Sequence, residues 1–332
     1  MALLHLSVIE TRLETQNVRR IVLVPADGSP LPAFSAGASI AVEITGIGRR
    51  KYSLVNAIAD EKAFARPDHY ALGIRLADDG QGGSRFMHGL KVGDCIKATV
   101  PENDFALEDG MGPVLLVAGG IGVTPLVSKA AQMKAQGRPF RFAYAARCQS
   151  DFAFLTDIEP LCDGNLLLHD DASAGKILDL VSLMQSVGPG ETVHICGPRP
   201  MLNAAISEAR EKSWPAGKLQ FETFYSSSIE EKSHPDASLQ QDGTGSFEIE
   251  IKSSGLVLSV PPEKSIVDVL NEAGLDPLYD CNKGECGVCQ TGVLAGEPDH
   301  RDFILTSSER AANKQIHICV SRAKSARLVL DL

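Results

Sequence analysis

Three cysteines fall within nine residues, at Cys281, Cys286 and Cys289, and a fourth, Cys319, follows after 29 intervening residues. A C-x4-C-x2-C run with one distant partner is the spacing of a plant-type [2Fe–2S] site, in which four thiolates hold two irons. Gly284 and Gly287 let the backbone curl around such a cluster and turn N–H groups toward its sulfurs. The competing readings are a zinc site or four unrelated buried cysteines. Zinc sites more often repeat the short Cys-x2-Cys pair. Here the first gap is four and the last cysteine stands alone, so the cluster is the expectation. Cys95, Cys148, Cys162 and Cys196 lack ligand spacing and read as small core residues.

Two further motifs could meet phosphate. In VLLVAGGIGVTP, Gly119, Gly120 and Gly122 permit a tight turn between a strand and a helix, whose first N–H groups can face a pyrophosphate. Pro125 stands where the dinucleotide fingerprint has its third glycine, so the motif alone is equally a tight strand–helix turn. HICGPRPM follows a later strand of the same segment, and in an open parallel sheet both loops reach the carboxyl edge, where ligands bind. Cys196 would then lie near the ligand, with steric packing as the plainer role. Nearer the start, Arg49-Arg50-Lys51-Tyr52-Ser53-Leu54 alternates a base, an aromatic and a hydroxyl along a strand end. Gly80-Gln81-Gly82-Gly83-Ser84-Arg85 exposes backbone donors before a short helix, a possible phosphate nest. Each of these two is, in isolation, also an ordinary charged strand end or surface turn.

The elements that must position these residues fall into three segments. Up to about residue 105, short β-branched stretches (Ser7–Thr11, Arg19–Pro25, Ser39–Ile44, His69–Ile74, Asp94–Val100) are punctuated by Gly, Pro and Asp, as in a small antiparallel barrel or sandwich. From Pro113 strands alternate with helices. Strands are expected at Pro113–Ala118, Phe140–Ala145, Leu166–His169, Thr192–Cys196 and Leu219–Phe221, and helices at Pro125–Gln136, Ala153–Leu161, Ile177–Gln185 and Pro200–Lys212. That alternation implies βαβ units and a parallel sheet. Residues 226–245, rich in Ser, Gln and charge, read as a linker. A hairpin (Phe247–Ile251, Val257–Val260) and a helix (Ser265–Ala273) then precede the cysteines. The expected domains are therefore 1–105, 106–225 and 246–332.

The chain has 332 residues, 44% of them hydrophobic, and a net charge of −10. A general nucleic-acid binder would need a basic surface, and no apolar run approaches the ~20 residues of a membrane span. Without a basic leader at the start, a cytoplasmic protein is expected. In a reducing compartment the cysteines are not a disulfide framework.

Over essentially the whole chain the motifs RKYSL, GQGGSRFMH, AGGIGVTPL, HICGPRPM, LQFETF, CNKGECGVC, DHRDFILTSSER and CVSRA, in that order, resemble the phthalate dioxygenase reductase and vanillate demethylase reductase family. The resemblance implies an antiparallel flavin-binding β-barrel, a parallel-sheet NAD-binding α/β domain and a β-grasp ferredoxin-like α+β domain. It implies FMN, NADH and a [2Fe–2S] cluster as cofactors. By motif, Arg50, Tyr52 and Ser53 match its flavin-binding residues, and Gly82, Gly83 and Ser84 its flavin-phosphate loop. Gly120, Gly122, Thr124 and Pro125 match the turn near nicotinamide and flavin, and Cys196, Gly197 and Pro198 the CGP beside the nicotinamide. Glu222 and Phe224 match the end of the NAD domain that approaches the flavin, and Arg147 a position near the adenosine ribose. Two positions depart from the family: Gln81 stands where an arginine often contacts the flavin phosphate, and Val288 replaces a small hydroxyl residue between the second and third cysteines.

What the family implies is electron splitting. NADH gives two electrons as a hydride, a cluster accepts one at a time, and a flavin between them does both. Thr124, Cys196, Glu222 and Phe224 would arrange the hydride step. The onward acceptor would be a Rieske-type oxygenase, met by a monomer. Residues 241–332 carry 14 acidic and 9 basic residues, which suits a basic partner patch as well as an ordinary solvated face. Asp170 and Asp171 weakly agree with NADH over NADPH. The alternatives are a reductase serving another acceptor, a non-catalytic iron–sulfur carrier or redox sensor with a degenerate flavin or NAD site, and a zinc-stabilised binding module.

Overall fold

Six strands take up the β-branched stretches of the first hundred residues: β1 (Leu4–Leu13), β2 (Val18–Pro25), β3 (Ser39–Ile44), β4 (Gly48–Ser53), β5 (Tyr70–Arg75) and β6 (Cys95–Ala98). In this computed structural model they run antiparallel in the order β4-β3-β6-β1-β2-β5. A bridge from Leu54 to Leu72 joins the two ends and closes the barrel. Residues 3–77, 82–108, 110–215, 217–224, 245–275, 277, 279, 284, 289–302, 305 and 307–332 are described. Two short helices, α1 (Glu61–Ala65) and α2 (Gly83–Gly89), interrupt the barrel strands. Leu6, Val8, Ile40, Val42, Leu72 and Ile74 alternate inward, as period-2 patterning requires.

β7 (Val114–Gly119), β8 (Phe140–Ala146), β9 (Leu166–Asp170), β10 (Thr192–Cys196) and β11 (Leu219–Glu222) form a parallel sheet in the order β11-β10-β7-β8-β9. Every residue of β7 is buried, because helices cover both faces of a parallel sheet. The chain moves outward from β7 to β9, then crosses to the other side of β7 to lay down β10. The switch point therefore lies between β7 and β10. The helices are α3 (Val123–Ala135), α4 (Leu155–Cys162), α5 (Asp171–Ala174), α6 (Leu180–Gln185) and α7 (Arg199–Glu211). Two of them start later than their sequence pattern suggests. Phe154 takes a left-handed φ of 62°, so α4 begins after it. Asp179 accepts a hydrogen bond from the Ser182 N–H and caps α6 there, leaving Ile177 exposed.

The barrel and the parallel-sheet lobe share one apolar core and form one unit, residues 1–224. Helix α3 is buried on nearly all sides, Ser128 and Lys129 included, because it lies between the sheet and the barrel. The Gly37 N–H donates to Ser128 Oγ at 3.0 Å and the Ala36 N–H to Gln132 Oε1 at 3.0 Å. Gly37 has φ +91°, and a Cβ there would sit 2.1 Å from the Phe105 carbonyl oxygen. On the outer face of β2, Arg20 reaches across to Asp157 of α4, donates to Glu14 at 2.7 Å and lies over the Phe154 ring. Arg20→Met would leave Asp157 facing an apolar seam without its cation and Glu14 with Arg12 alone. It is expected to cost about 3 kcal/mol, read as a fall in the thermal midpoint.

The second unit, residues 225–332, has its own core around Phe247, Ile249, Ile266, Leu270, Ile316, Leu328 and Leu330. Its strands are β12 (Phe247–Ile251), β13 (Val257–Val260), β14 (Gln290–Ala295), β15 (Pro298–Asp299), β16 (Gln315–His317), β17 (Arg322–Ala323) and β18 (Arg327–Asp331), and its helices α8 (Ile266–Glu272) and α9 (Ser307–Ala312). A mixed sheet runs β13-β12-β18-β14-β16, with β15 and β17 as a separate pair. The expected hairpin is β12–β13. Ser265 and Asp268 form a reciprocal capping box that starts α8. The linker expected at 226–245 lies, but for Gly245, outside the described residues. Among the described residues no helix is long and apolar enough to cross a membrane.

Candidate functional site

The flavin-type motifs converge on one end of the barrel. Arg50, Tyr52 and Ser53 lie on β4, and Gly82, Gly83 and Ser84 open α2. A Cβ on Gly83 would stand 3.0 Å from Arg50 Cγ, so the arginine stem lies against the first turn of α2. Gly82 provides the left-handed entry with φ 90°. Ser84 Oγ accepts from the Ala77 N–H at 3.1 Å and fastens the turn. Burial pushes the half-buried Tyr52 phenol up to about 12, so it stays neutral and presents an uncharged ring.

Ser53 supplies the test of fit. Its side chain is buried, yet its Oγ has no hydrogen-bond partner among the described residues. Buried hydroxyls are nearly always satisfied, and a polar ring edge laid against β4 would satisfy this one. Ser53→Ala is expected to weaken flavin binding about threefold to tenfold without lowering the stability of the flavin-free protein. Fluorescence titration with FMN and thermal melts of the flavin-free form check both halves. Gln81, the departure in the phosphate loop, lies outside the described residues.

The nucleotide-type motifs meet at the switch point, outside the carboxyl ends of β7 and β10, where open α/β sheets bind ligands. Their close approach depends on glycine. A Cβ on Gly122 would fall 2.1 Å from the Cys196 carbonyl oxygen and 2.7 Å from the Gly197 nitrogen. One on Gly119 would fall 2.6 Å from Pro198 Cδ. Gly120, with φ +54°, has nothing within 4 Å of its Cβ position and faces open space. Pro125 is buried in the first turn of α3, where its missing N–H costs nothing.

Thr124 lies at the lobe seam. Its hydroxyl donates to the Ile121 carbonyl at 3.0 Å, while its methyl carbon stands 2.7 Å from where a Cβ on Gly73 of β5 would be. The barrel therefore touches the start of α3 at a residue that must lack a side chain. Phe154 presses on the same glycine. Neither Gly73 nor Phe154 carries a motif, and only their packing identifies them.

Cys196 is wholly buried, and burial, then nearby Glu222, push its thiol well above its ordinary value. It is a neutral wall rather than a nucleophile. Glu222, the last residue of β11, is its register partner. Phe224 is exposed and ends the described part of the unit. Arg147 follows β8, and its carbonyl accepts the Ala172 N–H at 3.0 Å, beside the end of β9. Asp170 caps α5 through the Ala172 and Ser173 N–H groups and accepts the Ser173 hydroxyl.

In the second unit Cys289 and Cys319 are both buried, with their sulfurs 3.1 Å apart. That is too long for a disulfide, and it places the two sulfurs side by side, within reach of one iron. Cys281, Cys286 and Val288 lie outside the described residues.

A closed antiparallel barrel packed on the carboxyl edge of a parallel nucleotide sheet, with a cysteine-bearing mixed-sheet unit on the same chain, defines a flavin- and iron–sulfur-dependent oxidoreductase. A 2Fe-2S iron-sulfur cluster binding domain model matches residues 249–324, which include all four cysteines. Vanillate O-demethylase oxidoreductase from Pseudomonas sp. (strain HR199 / DSM 7063) is 36% identical, covering 97% of each chain. Phthalate dioxygenase reductase from Burkholderia cepacia is 33% identical over 99% of this chain and 97% of its own. The solved structure of phthalate dioxygenase reductase, described as modular for electron transfer from pyridine nucleotides to [2Fe-2S], superposes with a TM-score of 0.64 at 32% identity, covering 100% of this chain and 98% of the other. The chain belongs to the phthalate dioxygenase reductase and vanillate O-demethylase oxidoreductase family.

Proposed function

We propose that the protein is the NADH-dependent reductase component of a two-component Rieske-type oxygenase or demethylase, taking electrons from NADH through FMN to a [2Fe–2S] cluster and on to the oxygenase. The observation that carries this reading is the contact of Gly73 with Thr124, which sets the flavin barrel against the nucleotide edge within one shared core. A flavin, when bound, takes the electron pair of a hydride and passes electrons on singly, as a one-electron cluster requires. The chain's residues do the arranging. Arg50 and the first turn of α2 hold the flavin phosphate, Ser53 bonds its polar edge, and Tyr52 covers its ring. The Gly120–Gly122 turn takes the pyrophosphate, Arg147 approaches the adenosine ribose, and Gly197 and Pro198 line the nicotinamide pocket. Neutral Cys196, with Thr124, Glu222 and Phe224, would line the reacting face, keep water from it and orient the two rings for hydride transfer. Cys281, Cys286, Cys289 and Cys319 hold the cluster.

The protein works as a cytoplasmic monomer with NADH preferred over NADPH, the carboxylates of Asp170 and Asp171 at the end of β9 being unfavourable to a 2′-phosphate. An absorbance spectrum with flavin, iron and sulfide assays on the pure protein tests the cofactor set; a flavin-only spectrum would refute the cluster. The acidic excess over residues 241–332 would steer a basic oxygenase surface. Raising ionic strength from about 0.05 to about 0.3 M is expected to raise the Michaelis constant for the oxygenase severalfold, and a flat response would sink the steering idea.

A further inference from the structure

Lys129, in the second turn of α3, has no exposed surface. Its Nζ lies 2.7 Å from His194 Nδ1, 3.4 Å from the Ala106 carbonyl oxygen and 3.1 Å from the centroid of the Phe105 ring. An ammonium carries three N–H donors, and here it meets an imidazole nitrogen, a carbonyl and a π-face. The arrangement fits a cation. His194 then carries its proton on Nε2, which has no partner among the described residues. His194 and Cys196 share one face of β10, and Glu222 stands opposite Cys196 on β11. A buried positive charge thus sits behind the floor on which the nicotinamide would lie.

That charge matters because hydride loss makes the nicotinamide cationic. We propose that Lys129 sets the nucleotide's redox-state specificity, weakening the hold on NAD+ relative to NADH so that the oxidised product leaves. The proposal rests on the placement of the nicotinamide beside Cys196 and Glu222. Glu222 draws a cationic ring in, and Lys129 offsets it; interior charges act at this range because little water screens them.

The charged and titratable groups facing Lys129 are His194 and Cys196 on β10, Glu222 on β11, Glu108 on the segment leaving the barrel, and Arg138 just past α3. Burial holds Lys129 well below its ordinary value, so it gives up its proton more readily than an exposed lysine. Burial drives His194 down and Cys196 up, each toward its neutral form. As Lys129 loses its charge with rising pH, NAD+ affinity should rise.

The test compares oxidised full-length wild type with Lys129→Met by calorimetry, using NAD+ and 1,4,5,6-tetrahydro-NAD, whose ring is uncharged and cannot give a hydride. Lys129→Met is expected to tighten NAD+ about tenfold, the order of one unit-charge interaction through the protein interior, and to move the tetrahydro analogue less than about twofold. In the wild type, NAD+ affinity should climb as rising pH strips the charge from Lys129, while the analogue stays flat. Equal shifts for both nucleotides, or an unmoved NAD+ affinity, would overturn the proposal. If the variant does not fold, the wild-type pH series decides alone. Failure of NADH to bleach the wild-type flavin would instead indict the nicotinamide placement.

Discussion

Cys319→Ser is expected to strip the cluster from the protein while leaving the flavin in place and reducible by NADH. Serine at pH 7 is not an anion, and a thiolate is what an iron of this charge and softness demands. Cys319 lies on the segment between β16 and β17 with its sulfur 3.1 Å from that of Cys289, so its loss removes half of a preformed ligand pair. Both side chains are buried in the core of the second unit, which keeps water from replacing the lost ligand. Bound iron should fall at least about tenfold and electron delivery to the oxygenase to about 1% or less. NADH-driven reduction of ferricyanide, which the flavin alone supports, should persist. Iron and sulfide assays with the two acceptor assays check this. A variant that kept its cluster would mean that Cys319 is not a ligand.

Gly122→Ala should have the opposite signature, with both prosthetic groups retained and the NADH step lost. The new Cβ would stand 2.1 Å from the Cys196 carbonyl oxygen and 2.7 Å from the Gly197 nitrogen. Both are backbone atoms at the sheet edge and cannot swing aside as a side-chain tip can. The β7 and β10 loops must therefore part at the switch point, and a displacement near 1 Å at a reacting site costs about 100-fold in rate. Rapid mixing with NADH should show flavin bleaching slowed by about that factor, with flavin and iron content unchanged. Gly120→Ala separates space from backbone strain. It meets nothing within 4 Å but must hold φ +54°, so it should cost about 1 kcal/mol of stability and far less rate. Equal slowing in the two variants would argue against the close-approach account.

How much of this was legible from residue order depends on range. The cysteine spacing, the strand–helix alternation from Val114 to Glu222 and the switch-point loops are local patterns, and each was readable because a few neighbouring residues carry it. The seam between barrel and nucleotide lobe was not. Gly73 looks like any strand glycine until Thr124 and Phe154 are brought against it from more than fifty residues away. Lys129 reads as the polar point of an amphipathic helix, and only the barrel packed on the far side of α3 turns it inward. Phe154 left no trace of its left-handed backbone, which shortened α4. Strands β14, β16 and β18 were not read from the sequence; β16 has only three residues. Thr124 was expected in the turn near nicotinamide and flavin; what the sequence did not show is that its hydroxyl bonds the Ile121 carbonyl and its methyl meets Gly73 of the barrel.

The central claim is that one chain joins a hydride acceptor to a one-electron outlet. Anaerobic rapid mixing of the purified full-length protein with NADH, followed across the visible spectrum, tests it most directly. The account predicts that flavin absorbance bleaches first and cluster absorbance follows, at a rate independent of protein concentration. Protein that carries no flavin, or a flavin that NADH leaves unbleached, would contradict it.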